Sequence, residues 1–190
     1  MKSNIIGTFT GKLVNPFAMT VDDICIKDIA HSLAMTCRFR GHVSQYYSVA
    51  EHCVRCAEIG LHSPDGYGLA RYRLLHDAPE AYLCDVPSPL KGQFPILKCV
   101  EEQIFAVMCD KFQIPTMSEE VEIAIKHADL VLLATEARDL CAFDLDRTLP
   151  SPLPDEIIPW PWEDAEERYL ELAHHLLLCD TEVVNGIEEK

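Results

Sequence analysis

The stretch LLHDAPEAYLCDVPSPLK, residues 74–91, decides what kind of fold the chain must build. It contains four leucines, yet it places His76, Asp77, Glu80 and Asp85 within ten positions. On a continuous helix, Glu80 would stand four residues after His76 and three after Asp77, so the three side chains would share one surface. An imidazole and two carboxylates cost free energy when they are buried among leucines without a cation or close partners. The stretch therefore predicts a helix that brings a charged site to an apolar core.

Most of the chain repeats apolar residues at intervals of three and four, the spacing typical of amphipathic helices. No segment shows a convincing alternation of apolar and polar residues. The prediction is an all-α fold. We expect helices at residues 21–37, from about 48 to 60, across the opening stretch as far as Pro87, from about 96 to 112 and from about 164 to 179. A further helix is expected to begin at a capping box formed by Thr116 and Glu119 and to continue past Leu140.

Length and composition fit one domain. The chain has 190 residues, of which 48% are hydrophobic, enough for one sizeable core. We expect a single domain over 1–190 with its core at about 22–145. The segment LPSPLPDEIIPWPW, residues 149–162, has five prolines and cannot form a regular helix or a central strand. Its tryptophans, Trp160 and Trp162, predict an ordered arm, because in a flexible spacer they would expose large apolar areas to water.

The charge balance excludes some partners. Sixteen basic against 31 acidic residues give a formal charge of −15, which repels a polyanion, so a nucleic-acid polymer is not expected as a partner. No apolar run approaches the roughly 20 residues that cross a bilayer, and the N-terminus lacks the pattern of a secretory signal. The sequence predicts a soluble cytoplasmic protein with no membrane partner.

Nine scattered cysteines make a poor disulfide framework, because the count is odd, and most are expected to be reduced core residues. Cys53 and Cys56 have the CxxC spacing of redox and zinc motifs. The sequence contains no second CxxC, and the pair lies inside a predicted helix rather than at a strand-to-helix junction. The redox and zinc-motif interpretations are therefore the weaker ones.

Four side chains from three predicted helices point inward together. His52 shares a helical face with apolar residues, and Asp129 is flanked by apolar residues four before it and three and four after it. With His76 and Asp77, they supply the imidazoles and carboxylates that bind a divalent metal ion in a helical bundle. An ion would also neutralise the buried carboxylates. The alternative is a salt-linked network in which His76 and Asp77 cap or bridge neighbouring helices.

These motifs carry a family resemblance. SVAEH ending at His52, the opening stretch and HADLVLLATEA around Asp129 resemble the HD-domain metal-dependent phosphohydrolases, most closely the YfbR-like 5′-deoxynucleotidase branch. The layout is also similar to that of DatZ-type triphosphohydrolases, which remove dATP. The resemblance covers residues 22–145. A histidine–aspartate pair alone is weak, but the string H-D-x-x-E-x-x-x-x-D-x-P-x-P-x-K, from His76 to Lys91, is specific.

The resemblance implies an HD-domain helical bundle and a role for each matching residue. It implies metal ligands at His52, His76, Asp77 and Asp129, acid–base groups at Glu80 and Asp85, and substrate contacts from Arg38, Phe39 and Lys91. Phe39 stands where the YfbR-like enzymes have tryptophan, which leaves selectivity for deoxyribose open. The short gap between His52 and His76 makes His42 a competitor for the first ligand. We prefer His52, because its helical face is apolar and its AEH context matches.

The resemblance predicts a metal-dependent phosphohydrolase that acts on nucleotides. Either it releases phosphate from deoxynucleoside monophosphates, as a 5′-deoxynucleotidase, or it releases triphosphate from deoxynucleoside triphosphates such as dATP. The alternative is a catalytically silent regulator that binds a nucleotide or a metal ion. Four protein ligands leave positions open on a six-coordinate ion, which favours Mn²⁺, Co²⁺, Fe²⁺ or Mg²⁺ over Zn²⁺ in a closed tetrahedral site. The sequence leaves the oligomeric state open, and the resemblance favours a homo-oligomer, since dimers and hexamers are common in that family.

Overall fold

A computed structural model describes residues 4–63, 66–143 and 148–178. The fold is 59% helix and 4% strand, which confirms the all-α prediction. The helices are α1 (Ile26–Met35), α2 (Val49–Glu58), α3 (Gly66–Leu75), α4 (Ser88–Lys91), α5 (Pro95–Lys111), α6 (Glu119–Leu140) and α7 (Trp162–Ala173). Within those ranges, the helical structure also includes two 3-10 segments, Arg38–Gly41 and Ala78–Ala81, and a π-helical turn, His174–Leu178.

Helix α2 is the central element of the core. It packs against α1, α3, α6 and α7, and α7 also lies along α1. The hydroxyl of Ser48 accepts a hydrogen bond from the backbone N–H of Glu51 and so caps the first turn of α2. Because helices surround α2, His52 in its middle is fully buried although it is polar. The burial of α2 is what carries that imidazole into the interior.

The helix predicted across the opening stretch is interrupted, and this prediction was wrong in detail. Helix α3 ends at Leu75, and a 3-10 segment with Pro79 in its first turn follows at Ala78–Ala81. Proline has no N–H to donate, and its ring clashes with the carbonyl group four residues earlier, here that of Leu75. His76 and Asp77 therefore lie at a break between two helical segments and not on one α-helical surface with Glu80.

Other boundaries also differ from the prediction. Helix α1 begins at Ile26, because Asp23 turns back to accept hydrogen bonds from the backbone N–H and hydroxyl of Thr20. Ser118, not Thr116, caps α6 by accepting from the N–H of Val121, so the proposed capping box was wrong. Helix α6 ends at Leu140 instead of continuing past it.

The chain also forms a hairpin that the sequence did not reveal. Strands β1 (Ile6–Gly7) and β2 (Leu13–Val14) pair antiparallel. Two-residue strands are too short to show alternation, so no pattern could predict them. The final helix begins at Trp162, earlier than expected; its predicted end at 179, like the predicted core boundary at 145, lies outside the described residues. Within the described ranges, no helix combines the length and apolar character needed to span a membrane.

The proline-rich arm has no helix or strand between 149 and 161, as its prolines predicted, and it is fixed to the helices. The backbone N–H of Trp160 donates to Glu51 of α2 at 2.9 Å. The indole ring contacts two guanidinium groups, those of Arg55 at 4.5 Å and Arg168 at 4.1 Å from the ring centroid. These cation–π contacts and the hydrogen bond hold the arm against α2 and α7.

Helix α5 offers a matched test of the core. Ile104 is 1% exposed and Ile96, on the same helix, is 62% exposed. Ile104→Ala should lower the free energy of unfolding by about 2–5 kcal/mol, because it leaves a cavity. Ile96→Ala should change it by less than about 0.5 kcal/mol. Chemical denaturation of both variants measures the difference, and equal losses would contradict the described packing.

Candidate metal centre

Three elements bring four of the predicted site residues together. His52 lies in the middle of α2, His76 and Asp77 occupy the break after α3, and Asp129 lies on α6. The Nε2 atom of His52 lies 3.2 Å from Nε2 of His76, 3.5 Å from Oδ1 of Asp129 and 3.7 Å from Oδ2 of Asp77. His76 Nε2 lies 3.4 Å from the same oxygen of Asp77. Donor atoms bound to one ion at about 2.0–2.2 Å stand roughly 3–3.5 Å apart. The distances from the two imidazole nitrogens are close to that spacing, and the donor atoms of His52, His76 and Asp129 all lie within 4.8 Å of one another.

The hydrogen bonds made by the Nδ1 atoms of His52 and His76 determine which ring nitrogen carries the hydrogen in each neutral imidazole. His76 Nδ1 lies 2.6 Å from the backbone carbonyl oxygen of Arg73, which can only accept, so this nitrogen carries a hydrogen and donates. His52 Nδ1 lies 2.6 Å from a carboxylate oxygen of Glu136 and donates to it in the same way. In the neutral rings, both Nε2 lone pairs therefore face each other across 3.2 Å. Such a place requires a cation, either a proton or a metal ion.

The electrostatics around His52 lead to the same requirement. Burial and Arg38 lower the pKa of His52, whereas Glu136 and the hydrogen bond to Asp129 raise it, and the balance raises it to about 9. Opposite charges outweigh burial for the carboxyl groups too, because the imidazoles hold the pKa values of Asp77 and Asp129 below their ordinary range. The carboxylates of Asp77 and Asp129 thus remain ionised, and the position between them and the imidazoles attracts positive charge.

Glu136 is the residue that the sequence analysis missed. It lies on α6 seven residues after Asp129, two helical turns along the same face, and that spacing was the available signal. It is fully buried, accepts from His52, and accepts from Nη2 of Arg38 at 3.1 Å and from Nε at 3.3 Å. Although burial favours the neutral acid, Arg38 and His52 hold the pKa of Glu136 below its usual range. Glu136 therefore orients His52 as a carboxylate.

Arg38 contacts the centre and not open solvent. Its Nη1 donates to Oδ2 of Asp77 at 3.3 Å, while its other nitrogens bond to Glu136. Arg38 thus contacts two of the three carboxylates of the centre, those of Asp77 and Glu136 but not that of Asp129. Three carboxylates against one guanidinium group leave two negative charges for a divalent ion to neutralise. Lys126 also contacts Asp129, at 2.7 Å, but its side chain is 59% exposed, so water screens its charge. The donor set fits a divalent cation.

Glu80 and Lys91 form a pair beside the centre. Lys91 Nζ lies 2.9 Å from Oε1 of Glu80 and 3.1 Å from Glu101. The other oxygen of Glu80, Oε2, is buried and has no hydrogen-bond partner in the part of the chain that the structure describes. Burial and the charge of Asp77 raise the pKa of Glu80 above its ordinary value, against the opposing effect of Lys91. Glu80 therefore presents one uncommitted oxygen that can hold or accept a proton.

The segment after Arg38 has a strained backbone. Phe39 and Arg40 have φ values of 54° and 56°, in the left-handed region that side chains rarely adopt. The Phe39 ring packs edge-on against Phe143 at 6.5 Å between centroids. Arg40 is exposed, and its Nη1 donates to the backbone carbonyl oxygen of Asp85 at 3.2 Å. This bond brings Asp85 beside the strained segment, and burial raises the pKa of the Asp85 carboxyl group.

The structure counts against two alternatives from the sequence analysis, His42 as the first ligand and a redox role for Cys53 and Cys56. His42 is exposed and ends the 3-10 segment after Arg38, whereas His52 is in the cluster. Cys53 and Cys56 are buried in α2, and burial raises the pKa of both thiols. A raised pKa disfavours the thiolate that disulfide exchange requires, which counts against a redox role.

The contact between Glu136 and His52 predicts a loss of metal affinity on substitution. Glu136→Gln keeps the shape of the side chain but removes the charge that fixes the imidazole, so Mn²⁺ affinity in calorimetry should fall about 10–100-fold. Glu122→Gln, an exposed position on the first turn of α6, is the control and should bind as the wild type does. Wild-type affinity in the Glu136 variant would show that His52 is oriented without this carboxylate.

Comparison with known proteins places the chain among bacterial relatives. No known family model matches it. It is 44% identical over 137 residues to YfdR of Escherichia coli K12, an alignment that covers 72% of each chain. It is 33% identical over 155 residues to a protein of Rhodobacter capsulatus, with 76% of this chain and 79% of that one covered. Both relatives are described only as uncharacterized proteins, so the similarity brings no stated activity with it.

Proposed function

The chain belongs to the same family as Escherichia coli YfdR, and for this member we propose a metal-dependent phosphohydrolase of the HD-domain type that acts on nucleotides. One observation carries the proposal: two imidazole nitrogens face each other across 3.2 Å beside the carboxylates of Asp77 and Asp129, and the charge of Asp77 also acts on Glu80, which has an uncommitted oxygen. The HD-domain resemblance supports it, because its motifs fall on these same residues. Cation binding and proton transfer are the two capacities that phosphate-ester hydrolysis needs.

The ligand residues are proposed to be His52, His76, Asp77 and Asp129. A divalent ion held by them would supply positive charge to phosphoryl oxygens and lower the pKa of a bound water. The surrounding residues hold the ligands in place: Glu136 orients His52, the carbonyl group of Arg73 orients His76, and Arg38 fixes Asp77. Because these contacts exist before any substrate binds, the geometry costs little reorganisation during the reaction.

Glu80 is proposed to act in proton transfer. Its Oε2 is free to accept a proton from the attacking water, while Lys91 holds the other oxygen at 2.9 Å. Burial and the charge of Asp77 raise the pKa of Glu80, which makes its ionised form a stronger base, and the positive charge of a bound ion would favour that ionised form at neutral pH. Asp85, whose pKa is also raised, is proposed to handle the leaving-group proton or a sugar hydroxyl. The two groups would thus serve the two ends of the cleaved bond.

The cation that meets the substrate phosphate is proposed to be Arg40, with Phe39 against the sugar or base. The resemblance adds Lys91, whose ammonium group contacts Glu80 and Glu101 and would have to exchange one of these contacts for the phosphate. Arg38, which the resemblance assigns to substrate, already bonds two carboxylates, so we propose that it positions Asp77 and Glu136 instead. Arg40 is exposed and joined to the Asp85 segment, which leaves most of its guanidinium group available. Two strained residues in succession are typical of a functional segment.

The activity is tested with purified protein, Mn²⁺ or Co²⁺, and panels of deoxynucleoside mono- and triphosphates. Phosphate released from the monophosphates identifies a 5′-deoxynucleotidase, and triphosphate detected by chromatography identifies a triphosphohydrolase. Asp77→Ala is the control against contaminating phosphatases and should be inactive in both assays. Tight nucleotide binding without product after long incubation would overturn hydrolysis in favour of the silent regulator.

Glu80 and Glu101 allow a matched test of the proton-transfer role, since both pair with Lys91. Glu80→Gln should lower kcat by about 100-fold or more and leave Mn²⁺ affinity unchanged, because it removes a proton acceptor but no ligand. Glu101→Gln should lower kcat less than about threefold, as expected for a partly exposed pair. Equal effects in the two variants would mean that Glu80 only holds Lys91.

Substitution of Arg40 should weaken substrate binding without slowing the chemical step. Arg40→Asn removes the charge with a residue that tolerates a left-handed φ, so the backbone should persist. KM should rise about tenfold while kcat changes little, because a phosphate contact is lost equally from the bound substrate and the transition state. Lys98→Ala, which removes a cation from an exposed pair with Glu102, is the control and should leave KM unchanged. An unchanged KM in the Arg40 variant would contradict the contact.

A further inference from the structure

Cys53 lies directly after the first proposed ligand and borders the same centre. Its Sγ, a ring nitrogen of His76 and a carboxylate oxygen of Asp77 all lie within 4.8 Å of one another. The donor atoms of His52, His76 and Asp129 also lie within 4.8 Å of one another. The described residues thus contain two overlapping donor sets that share His76.

The two donor sets differ in chemistry. His52, His76 and Asp129, joined by Asp77, offer only nitrogen and oxygen, the donors that suit Mn²⁺, Fe²⁺ and Co²⁺. The set with Cys53 adds sulfur, a soft donor that favours Zn²⁺ and Cd²⁺. Cys53 is completely buried in α2, so an ion that reaches its sulfur must occupy the interior of the centre. Selectivity between the two sets would follow from the softness of the ion.

We propose that the centre has a second coordination mode, in which Cys53, His76 and Asp77 bind one thiophilic divalent ion such as Zn²⁺ or Cd²⁺. The inference rests on the metal centre of the proposed function. On binding, the S–H bond of Cys53 breaks, its proton passes to solvent, and a sulfur–metal bond forms with no change of oxidation state. The positive charge of the ion compensates for the cost of a thiolate in the interior.

The two modes exclude each other. An ion bound to Cys53 takes His76 and Asp77 away from the set that contains His52 and Asp129. Zn²⁺ or Cd²⁺ is therefore expected to compete with Mn²⁺ for the centre and to inhibit the Mn²⁺-loaded protein. The same arrangement makes the centre sensitive to the identity of the available metal, through a side chain that touches no phosphate in the proposed reaction.

The alternative for Cys53 is an ordinary core thiol, and Cys56 provides the comparison. Cys56 lies one helical turn later on α2 and is equally buried. Among the described residues it belongs to neither donor set, although it is also a buried thiol on the same helix. An effect that follows Cys53 and not Cys56 therefore reports coordination and not packing.

The test is a titration of the full-length protein with Cd²⁺, followed by the ultraviolet thiolate-to-cadmium charge-transfer absorption. The wild type and Cys56→Ala should show the band at one equivalent, and Cys53→Ala should lose it or bind Cd²⁺ at least about tenfold more weakly. Excess Mn²⁺ should suppress the band in the wild type. Circular dichroism checks folding, and Cys53→Ser is the second variant if the alanine variant unfolds, with the same loss expected.

Two results would overturn the inference, and a third would separate it from the proposed function. A band that persists in Cys53→Ala would come from other thiols, such as the exposed Cys84 and Cys99, and would remove Cys53 from the site. Absence of the band in a wild type that binds Mn²⁺ would also overturn it and leave the proposed function intact. The reverse result, a Cys53-dependent band in a protein that hydrolyses no nucleotide, would support the second mode while the proposed function failed.

Discussion

Two imidazole rings, those of His52 and His76, turn their Nε2 atoms toward each other at 3.2 Å inside the helical core, and the rest of the centre depends on that constraint. The Nδ1 atom of each ring donates a hydrogen bond, His52 to Glu136 and His76 to the carbonyl group of Arg73. Neither neutral ring can therefore move its hydrogen from Nδ1 to Nε2 to relieve the contact without losing that bond. Carboxylate oxygens of Asp77 and Asp129 lie 3.7 Å and 3.5 Å from the His52 nitrogen. Only positive charge makes this arrangement favourable, and its geometry is close to what one ion with nitrogen and oxygen ligands demands.

The fold produces this convergence through one break and one long helix. Pro79 prevents α3 from continuing, which leaves His76 and Asp77 at a junction where both side chains reach the centre. Helix α6 supplies Asp129 and Glu136 from one face, two turns apart. The proline-rich arm packs against α2 and α7 and holds the central helix in place. Ligands fixed by their neighbours in this way need no rearrangement to receive an ion.

The sequence revealed the helices and the ligand types more readily than their partners. Apolar periodicity identified the all-α fold, and polar residues on apolar faces pointed to His52 and Asp129. Pro79 indicates where α3 ends, and the seven-residue spacing from Asp129 places Glu136 on the same helical face, so both features could have been predicted. The carboxylate partners of Arg38 could not be read, because they come from elements that meet only in the folded chain. The two-residue strands of the hairpin carry no pattern at all.

Metal loading and spectroscopy on the same sample test the central claim most directly. Protein saturated with Co²⁺ and freed of excess ion should retain one ion per chain by elemental analysis, and its X-ray absorption spectrum should show two imidazole nitrogens together with oxygen ligands. Protein that retains no ion under metal-replete conditions, with the two rings bridged only by a proton, would contradict the account.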